Sequence, residues 1–213
     1  MRMLNLKPRL KKVADLFMEE DYQIAIDTCC DHAYLGLFLS DRFPEKTIIC
    51  IDVVEKIISK LKNKYTVQNL TFQCQDASTL SLSSQKTMVF ICGVGGELAA
   101  KIILGIKQAN DANIENVDFI VSANNKTYLV REALKSIEKK SFHEELVFEN
   151  GLGYEIIFAR SEGKNFDLIG RRMFHLQNED HVNFLHKKKQ HLSLKVKSCV
   201  KVKPVLEELE SLF

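Results

Sequence analysis

Residues 24–35 read IAIDTCCDHAYL, a short apolar run that ends in Asp27 and opens into a polar loop. Three further runs have the same form and end in polar or glycine residues: TIICIDV at 47–53, TMVFICGVGG at 87–96 and VDFIVSANN at 117–125. Continuous apolar runs are typical of strands that are buried on both faces of a parallel sheet. Because amphipathic segments of helical period separate them, the alternation predicts an α/β protein with a doubly wound, Rossmann-like sheet.

The predicted elements extend this alternation over most of the chain. We predict strands at residues 23–28, 47–53, 70–75, 87–92, 117–123, 143–149 and 155–160. We predict helices at residues 7–19, 34–42, 55–64, 97–109 and 128–139. The last two strands are separated by NGLG at 150–153, a glycine-containing turn that predicts a hairpin. The sheet should therefore be mostly parallel with an antiparallel last strand.

The composition indicates one α/β domain with a smaller C-terminal extension. The chain has 213 residues, 46% of them hydrophobic, and a net charge of only +2. The stretch SEGKN at 161–165 is a plausible linker, so we predict a sheet domain at 1–160 and a helical, basic extension at 161–213. Residues 170–203 hold nine Lys or Arg against two acidic residues. Such a basic surface suits a polyanion, although a solvated helix face gives the same pattern.

The cysteines and the hydropathy pattern bear on the compartment. None of the six cysteines forms a CxxC pair, so we expect reduced, mostly buried thiols and no metal site. The N-terminal segment MRMLNLKPRLKK lacks the apolar core of a signal peptide. No apolar stretch approaches the roughly 18 residues that a membrane span requires. We therefore expect a cytoplasmic protein without a membrane partner.

Polar or glycine residues follow each predicted parallel strand. Ligands of doubly wound folds bind outside the carboxyl ends of the strands, where the strand order reverses. At that edge Asp52 is placed to accept hydrogen bonds from ribose hydroxyls, Asp76 to meet an adenine edge, and Gly93 to let backbone approach a ligand. Each signal alone is weak, because an aspartate after a strand is also a common helix N-cap and GVGG is also a tight turn. Together they predict a nucleoside-binding site.

Five segments carry a resemblance to one family. IDTCCDHAYL at 26–35 resembles the ADIGSDHAYLP motif of the bacterial tRNA (adenine-22-N1)-methyltransferase family, often called TrmK. ICGVGGELAAKIIL at 91–104 is similar to its IAGMGG segment, and FIVSANNKTYLVREAL at 119–134 to its LILQPN segment. LKPRLKKVADL at 6–16 and GYEIIFA at 153–159 resemble its opening and its last strand. These matches keep their order and spacing over about three-quarters of the chain.

This resemblance implies a methyltransferase that uses S-adenosylmethionine, acts on tRNA as a monomer and ends in a helical coiled-coil domain. The residues that it places at the cofactor are Asp27, Cys29, Asp52, Val53, Asp76, Ala77, Gly93, Val94 and Gly95. Those that it places at the reacting adenine are Asp31, His32, Tyr34 and Asn124. Those that it places at tRNA phosphates are Arg9, Arg131, Arg171, Arg172, Lys187, Lys188 and Lys189. His32 as a general base and His32 as a structural histidine both remain open.

Two departures from the family pattern affect the cofactor loops. Cys29 stands where the family has a glycine, and Ala77 stands where its third loop has another. A missing glycine matters if its position needs a positive φ or close contact with the cofactor, so we predict either weaker cofactor binding than in a typical member or a site remade by a shifted loop. The alternative is a catalytically impaired relative that binds RNA, or a methyltransferase for another substrate. A nicotinamide enzyme is disfavoured because no GxGxxG follows the first strand.

Overall fold

Seven strands form one mixed sheet in the computed structural model, which describes residues 5–17 and 21–213. The strands are β1 Ile24–Thr28, β2 Thr47–Asp52, β3 Leu70–Cys74, β4 Thr87–Cys92, β5 Val117–Ser122, β6 Lys140–Glu149 and β7 Leu152–Arg160. Their order is β3-β2-β1-β4-β5-β7-β6. The first five are parallel, whereas β7 runs antiparallel to β5 and β6 antiparallel to β7. The predicted Rossmann-like sheet with an antiparallel last strand is confirmed.

Helices cover both faces of this sheet. They are α1 Pro8–Asp15, α2 Tyr34–Arg42, α3 Glu55–Lys64, α4 Gly96–Ala109 and α5 Thr127–Ser136. One core lies between α1, α2, α3 and one face, and a second lies between α4, α5 and the other face. Alternate residues of β4 divide between the two, with Phe90 in the first core and Val89 and Ile91 in the second, as the alternation of side chains along a strand requires. The predicted first helix extended to residue 19, and residues 18–20 lie outside the described part.

Two C-terminal helices pack on the hairpin of β6 and β7. They are α6 Glu179–Val196 and α7 Lys203–Glu210. Asn178 caps α6, because its side-chain oxygen accepts hydrogen bonds from the backbone N–H groups of Asp180 (2.9 Å) and His181 (3.4 Å). A third core joins these helices to the hairpin, and its buried members are Leu146, Ile169, Met173, Phe174, Leu185, Leu192, Val202, Val205 and Leu209. This packing holds one face of α6 over the end of the hairpin.

The described residues show neither a membrane-spanning helix nor a cluster of metal-binding side chains. Within residues 5–17 and 21–213, no helix has the length and apolarity needed to cross a membrane. The same residues contain no group of three or more His, Cys, Asp or Glu side chains that could hold a metal ion. All six cysteines are free; Cys30, Cys50 and Cys92 are buried, and Cys74 and Cys199 are exposed.

Candidate cofactor and substrate site

The carboxyl ends of the parallel strands meet at one edge, and the order of strands reverses between β1 and β4. The loops after β1, β2, β4 and β5 all lie at this edge, so the fold brings the predicted site residues of these loops together. Three backbone bonds tie the last two loops to each other. Gly93 N–H donates to the Ser122 carbonyl (3.2 Å), Asn124 N–H to the Val94 carbonyl (2.8 Å) and Gly96 N–H to the Asn125 carbonyl (3.0 Å).

The loop after β1 has an unusual backbone. Cys29, Asp31 and Ala33 have φ angles of 54°, 46° and 55°, in the left-handed region. A side chain makes that conformation cost about 1–2 kcal/mol per residue. Cys29 therefore occupies a position of positive φ, one of the two conditions under which the missing glycine matters. The neighbouring Cys30 is held by a bond from its N–H to the Ile51 carbonyl (3.0 Å).

Asp27 lies beneath this loop and is only 4% exposed. Its Oδ2 accepts a hydrogen bond from the Gly36 N–H at 3.1 Å. Position 36 requires glycine, because a Cβ there would lie 2.1 Å from the Cys50 Sγ. Burial raises the pKa of Asp27 to about 7, and the nearby Asp52 charge also raises it, against the bond from Gly36. A cationic ligand above the loop would favour the ionised carboxylate.

Asp52 ends β2 and joins two loops. Its Oδ2 accepts from the Asp31 N–H (3.2 Å) and its Oδ1 from the Val54 N–H (3.0 Å). Each carboxylate oxygen has a second lone pair, so Asp52 can still accept two hydrogen bonds from a ligand. Beside it, Val53 is 65% exposed and offers an apolar surface. This pair of residues fits a ribose and a purine ring.

The GVGG turn after β4 combines an open side with a tightly packed one. Gly93 has a φ of 79°, and a Cβ built on it would meet nothing within 4 Å. Gly96 begins α4, and its Cβ would lie 2.3 Å from the Lys126 carbonyl oxygen. Gly96 is therefore needed for the close approach of the loop after β5. Gly93, with Val94 and Gly95 behind it, leaves backbone open to a ligand.

The third loop follows β3 and opens a short 3-10 helix. Asp76 is the N-cap of a short 3-10 helix, Ala77–Thr79, and its Oδ1 accepts from the Ser78 N–H at 2.9 Å. The hydrogen bonds from Ser78 lower the pKa of Asp76. Ala77 is buried, and its methyl group packs in the core. Asp76 is thus an N-cap, and its role at the cofactor, like that of Ala77, stays a prediction.

Two aromatic rings and a carboxylate stand out from the first loop. The His32 Nδ1 lies 2.6 Å from the Asp31 Oδ2, which places the ring proton on Nδ1 when the imidazole is neutral. The His32 ring stacks on Tyr34, with 5.4 Å between centroids and 10° between planes. All three side chains are exposed, Tyr34 by 47%. They therefore present a flat ring surface and a hydrogen-bond acceptor to a ligand.

Asn124 is exposed at the same edge, and its side chain is held from two sides. Its Nδ2 donates to the Gly93 carbonyl at 2.6 Å, and its Oδ1 accepts from the Arg9 Nη1 at 2.9 Å. The Arg9 guanidinium lies over the Tyr154 ring, 4.4 Å from its centroid. The sequence did not indicate a role for Tyr154, because only the fold brings β7 and α1 beside Asn124.

A cavity of about 1240 Å³ lies beside Asn124. Its walls are the loop after β5, the hairpin end at residues 151–155 and one face of α6. The residues that α6 contributes are Asp180, Asn183, Phe184, Lys187, Lys188, His191, Leu192 and Lys195. We call this cavity the α6 groove. It is lined by basic side chains and by the rings of Phe148, Tyr154 and Phe184.

The structure corrects the predicted phosphate contact of Arg131. This residue is 1% exposed, and its guanidinium pairs with Glu144 and with Glu155 (2.7 Å). Lys188 is also unsuitable, because its ammonium is largely buried against Glu155. Arg131 is therefore closed to a phosphate, and the Lys188 charge is already paired with Glu155 although its side chain lines the α6 groove.

The other cations that the sequence assigned to RNA lie in different places. Lys187 is exposed and lines the α6 groove. Lys189 pairs with Glu210 at 3.2 Å, and Arg171 lies near Asp167 (3.7 Å) and Glu208 (3.4 Å). Arg172 donates to the Asn165 carbonyl at 3.1 Å and lines a second, smaller cavity. Of Arg171, Arg172, Lys187 and Lys189, Lys187 is the one that lines the α6 groove, where Arg9 from α1 also lies.

Solved structures of low sequence identity share this fold. The B. subtilis M1A22 tRNA methyltransferase TrmK is 19% identical with a TM-score of 0.72, and the match covers 98% of this chain and 95% of that one. M. capricolum TrmK in complex with S-adenosyl-homocysteine is 17% identical with a TM-score of 0.70, over 99% and 98% of the two chains. Streptococcus pneumoniae Sp1610 in complex with S-adenosyl-L-methionine is 20% identical with a TM-score of 0.69, over 95% and 97%.

At the level of sequence, no curated protein matches the chain. The profile of one family does match, the methyltransferase domain, and it covers residues 6–157. That range spans α1 to β7 and includes every loop at the site edge. The chain therefore belongs to the methyltransferase domain family.

Proposed function

We propose that this protein transfers a methyl group from S-adenosylmethionine to N1 of an adenine in tRNA. By its likeness to the TrmK structures, the target is adenine 22. We also propose that the protein acts as a monomer in the cytoplasm. The observation that carries it is one juxtaposition. The exposed Asp31, His32 and Tyr34 follow β1 and the exposed Asn124 follows β5, at the sheet edge that also carries Asp52 and the open Gly93, and Asn124 in addition lines the α6 groove.

The residues at the edge fit the proposed cofactor. Asp52 has two free acceptor positions for ribose hydroxyls, and Val53 offers its apolar side chain to the adenine ring. Because Gly93 has an open face, its backbone can approach the methionine part of the cofactor. Asp27 is buried beneath the neighbouring first loop. When bound, S-adenosylmethionine supplies an electrophilic methyl group on a sulfonium. The chain itself must align the acceptor and exclude water.

The acceptor side suits the N1 atom of adenine. N1 has an in-plane lone pair, so the attack needs no general base. The ring becomes cationic on methylation, and its exocyclic amine becomes a stronger hydrogen-bond donor. We assign the Asn124 Oδ1 and the Asp31 carboxylate as the acceptors for that amine, and the stacked rings of His32 and Tyr34 offer a face for the base. Acceptors that bind more strongly as charge develops stabilise the transition state.

The α6 groove suits the RNA strand around the target. N1 lies on the Watson–Crick edge, so the base must be unpaired or extruded before the reaction. The groove combines cations, Lys187 and Lys195, with the rings of Phe148, Tyr154 and Phe184. Positive charge together with stacking rings is the usual surface for single-stranded nucleic acid. An RNA strand that leaves the site at Asn124 would meet this surface directly.

A transfer assay on defined RNA tests the proposal. The full chain is incubated with S-adenosylmethionine and an unmodified tRNA transcript, and nucleosides are quantified by mass spectrometry. We expect 1-methyladenosine, with none in a transcript that carries guanine at position 22. Asp31→Ala should lower the rate by about 100-fold or more, whereas the matched variant Asp41→Ala, an exposed position on α2, should not. Absence of 1-methyladenosine with wild type, or equal methylation of the two transcripts, contradicts the proposal.

A second candidate function is RNA binding without methyl transfer. The observation that favours it is the strained first loop, in which Cys29 carries a side chain at a φ of 54°. If that loop holds the cofactor poorly, the α6 groove still binds RNA. A protein that binds tRNA but neither binds S-adenosylmethionine nor methylates the transcript would select this candidate.

A further inference from the structure

Arg9 is held in place by three contacts that meet at the site edge. Its backbone N–H donates to the Glu149 Oε2 at 3.1 Å. Its guanidinium lies 4.4 Å from the centroid of the Tyr154 ring, a distance typical of a cation–π interaction. Its Nη1 donates to the Asn124 Oδ1 at 2.9 Å. Helix α1 thus delivers one side chain to the loop after β5.

These contacts fix which way the Asn124 amide faces. A guanidinium has only donors, so the atom that faces Arg9 must be the oxygen. The other end faces the Gly93 carbonyl at 2.6 Å, which requires the nitrogen. Rotating the amide by half a turn would place two donors together and two acceptors together. Asn124 is therefore set in one orientation, with one lone pair on Oδ1 free.

We propose that Arg9 is a positioning residue for methyl transfer, which holds the Asn124 amide in the orientation that accepts the exocyclic amine of the target adenine. This inference rests on the proposed function. Arg9 acts through Asn124 and does not itself need to touch the base. The flat contact with Tyr154 matters as well, because it fixes the plane from which Nη1 reaches Asn124.

A positioning role and a phosphate contact of Arg9 predict different effects on binding and rate. A phosphate-binding arginine contributes to affinity and to the salt dependence of RNA binding. A positioning arginine contributes to the rate at saturating RNA, because misplacement of an acceptor raises the barrier. Lysine separates the two roles, since it keeps the charge but cannot lie flat on Tyr154 while it donates to Asn124.

The test is a double-mutant cycle in single-turnover methyl transfer, with saturating enzyme and S-adenosylmethionine. We expect Arg9→Met and Arg9→Lys each to lower the rate by about tenfold or more, with tRNA affinity and its salt slope within about twofold of wild type. In an Asn124→Ala background, Arg9→Met should change the rate by less than about twofold, because coupled residues are not additive. The control is Lys11→Met on the same helix, where Lys11 pairs with Asp15 (3.2 Å).

The opposite results overturn the inference. One is that the rate losses of Arg9→Met and Asn124→Ala multiply in the double variant. Another is that Arg9→Lys methylates at the wild-type rate. The third is that Arg9→Met changes only the tRNA affinity and its salt slope. A second readout does not need activity. In a nitrogen-15 NMR spectrum, the side-chain amide pair of Asn124, assigned by its loss in Asn124→Ala, should shift in Arg9→Met and stay in place in Lys11→Met.

The two readouts also separate this inference from the proposed function. If wild type fails to methylate tRNA, the proposed function fails, and the amide signal still decides whether Arg9 orients Asn124. An unshifted Asn124 amide in Arg9→Met contradicts the positioning role even if the enzyme is active.

Discussion

We expect single residues of the first loop to affect the binding of S-adenosylmethionine. Cys29, Asp31 and Ala33 hold a left-handed backbone without a glycine among them. Strain of this kind persists only where the surroundings enforce it. Here Asp52 binds the Asp31 N–H, and the Ile51 carbonyl binds the Cys30 N–H. Hydrogen bonds to β2 therefore hold the first loop in its left-handed backbone conformation, and this strain lowers the stability of the folded protein.

Replacing Cys29 by glycine should relieve part of that strain. We expect Cys29→Gly to be more stable than Cys29→Ala by about 1 kcal/mol, because both lose the thiol but only alanine keeps a Cβ at positive φ. Urea unfolding measures the difference, and titration calorimetry should show tighter binding of S-adenosylmethionine by Cys29→Gly than by wild type. Equal stability of the two variants, or sub-micromolar binding by wild type, would contradict a weakened loop.

Asp27 makes stability depend on pH. Its folded pKa of about 7 lies above the ordinary value of 3.8, so the folded state binds the proton more tightly. Stability should fall as pH rises from about 4 to about 7, by about 1.4 kcal/mol for each pH unit crossed. Asp27→Asn cannot ionise and should lose this decline.

Urea unfolding of wild type, Asp27→Asn and the exposed control Asp41→Asn between pH 5 and pH 8 measures the effect. Asp27→Asn should gain stability relative to wild type as pH rises, and Asp41→Asn should follow wild type. A parallel course for Asp27→Asn and wild type would show that burial of Asp27 carries no such penalty.

At the scale of elements, hydrophobic period predicted most of the sheet domain. The predicted bounds of α2, α3 and β4 coincide with the observed Tyr34–Arg42, Glu55–Lys64 and Thr87–Cys92, because each has one clear period and clear ends. The hairpin was predicted too short. Observed β6 begins at Lys140 and has an irregularity between Ser141 and His143, and its exposed polar residues conceal the strand pattern.

Charged residues were the hardest part of the site to predict. A cationic side chain in the sequence does not show whether a carboxylate lies beside it in the fold. Arg131 meets Glu144 and Glu155 only because the hairpin of β6 and β7 packs on α5, and Lys188 joins them from α6. The loop residues were easier, because their position after a strand is itself visible in the sequence.

Glu155 links three elements, and its loss should destabilise the protein. Burial opposes its charge, yet Lys188 and Arg131 lower its pKa to about 2, and Thr127 Oγ1 donates to it at 2.6 Å. Glu155→Gln leaves both buried cations without this partner, so we expect a loss of about 3 kcal/mol. Urea unfolding at pH 7 measures it against Glu162→Gln at an exposed site. A loss for Glu155→Gln below about 0.5 kcal/mol, the range of ordinary surface changes, would contradict the structural role.

At the scale of the whole molecule, the α6 groove places positive charge next to the site edge. Lys187 and Lys195 should contact the RNA strand if the groove binds it. The double variant Lys187→Gln/Lys195→Gln should weaken tRNA binding and reduce the slope of log affinity against log salt by about one to two. The matched control is Lys60→Gln/Lys62→Gln on α3, outside the groove. Equal slopes for the two double variants would make α6 a packing element.

We propose that one edge of the sheet binds S-adenosylmethionine and that the protein methylates N1 of an adenine in tRNA. The decisive measurement is mass spectrometry of tRNA nucleosides from cells with and without the gene. We expect 1-methyladenosine at position 22 to disappear without the gene and to return with wild type but not with Asp31→Ala. An unchanged level of 1-methyladenosine in cells without the gene would contradict it.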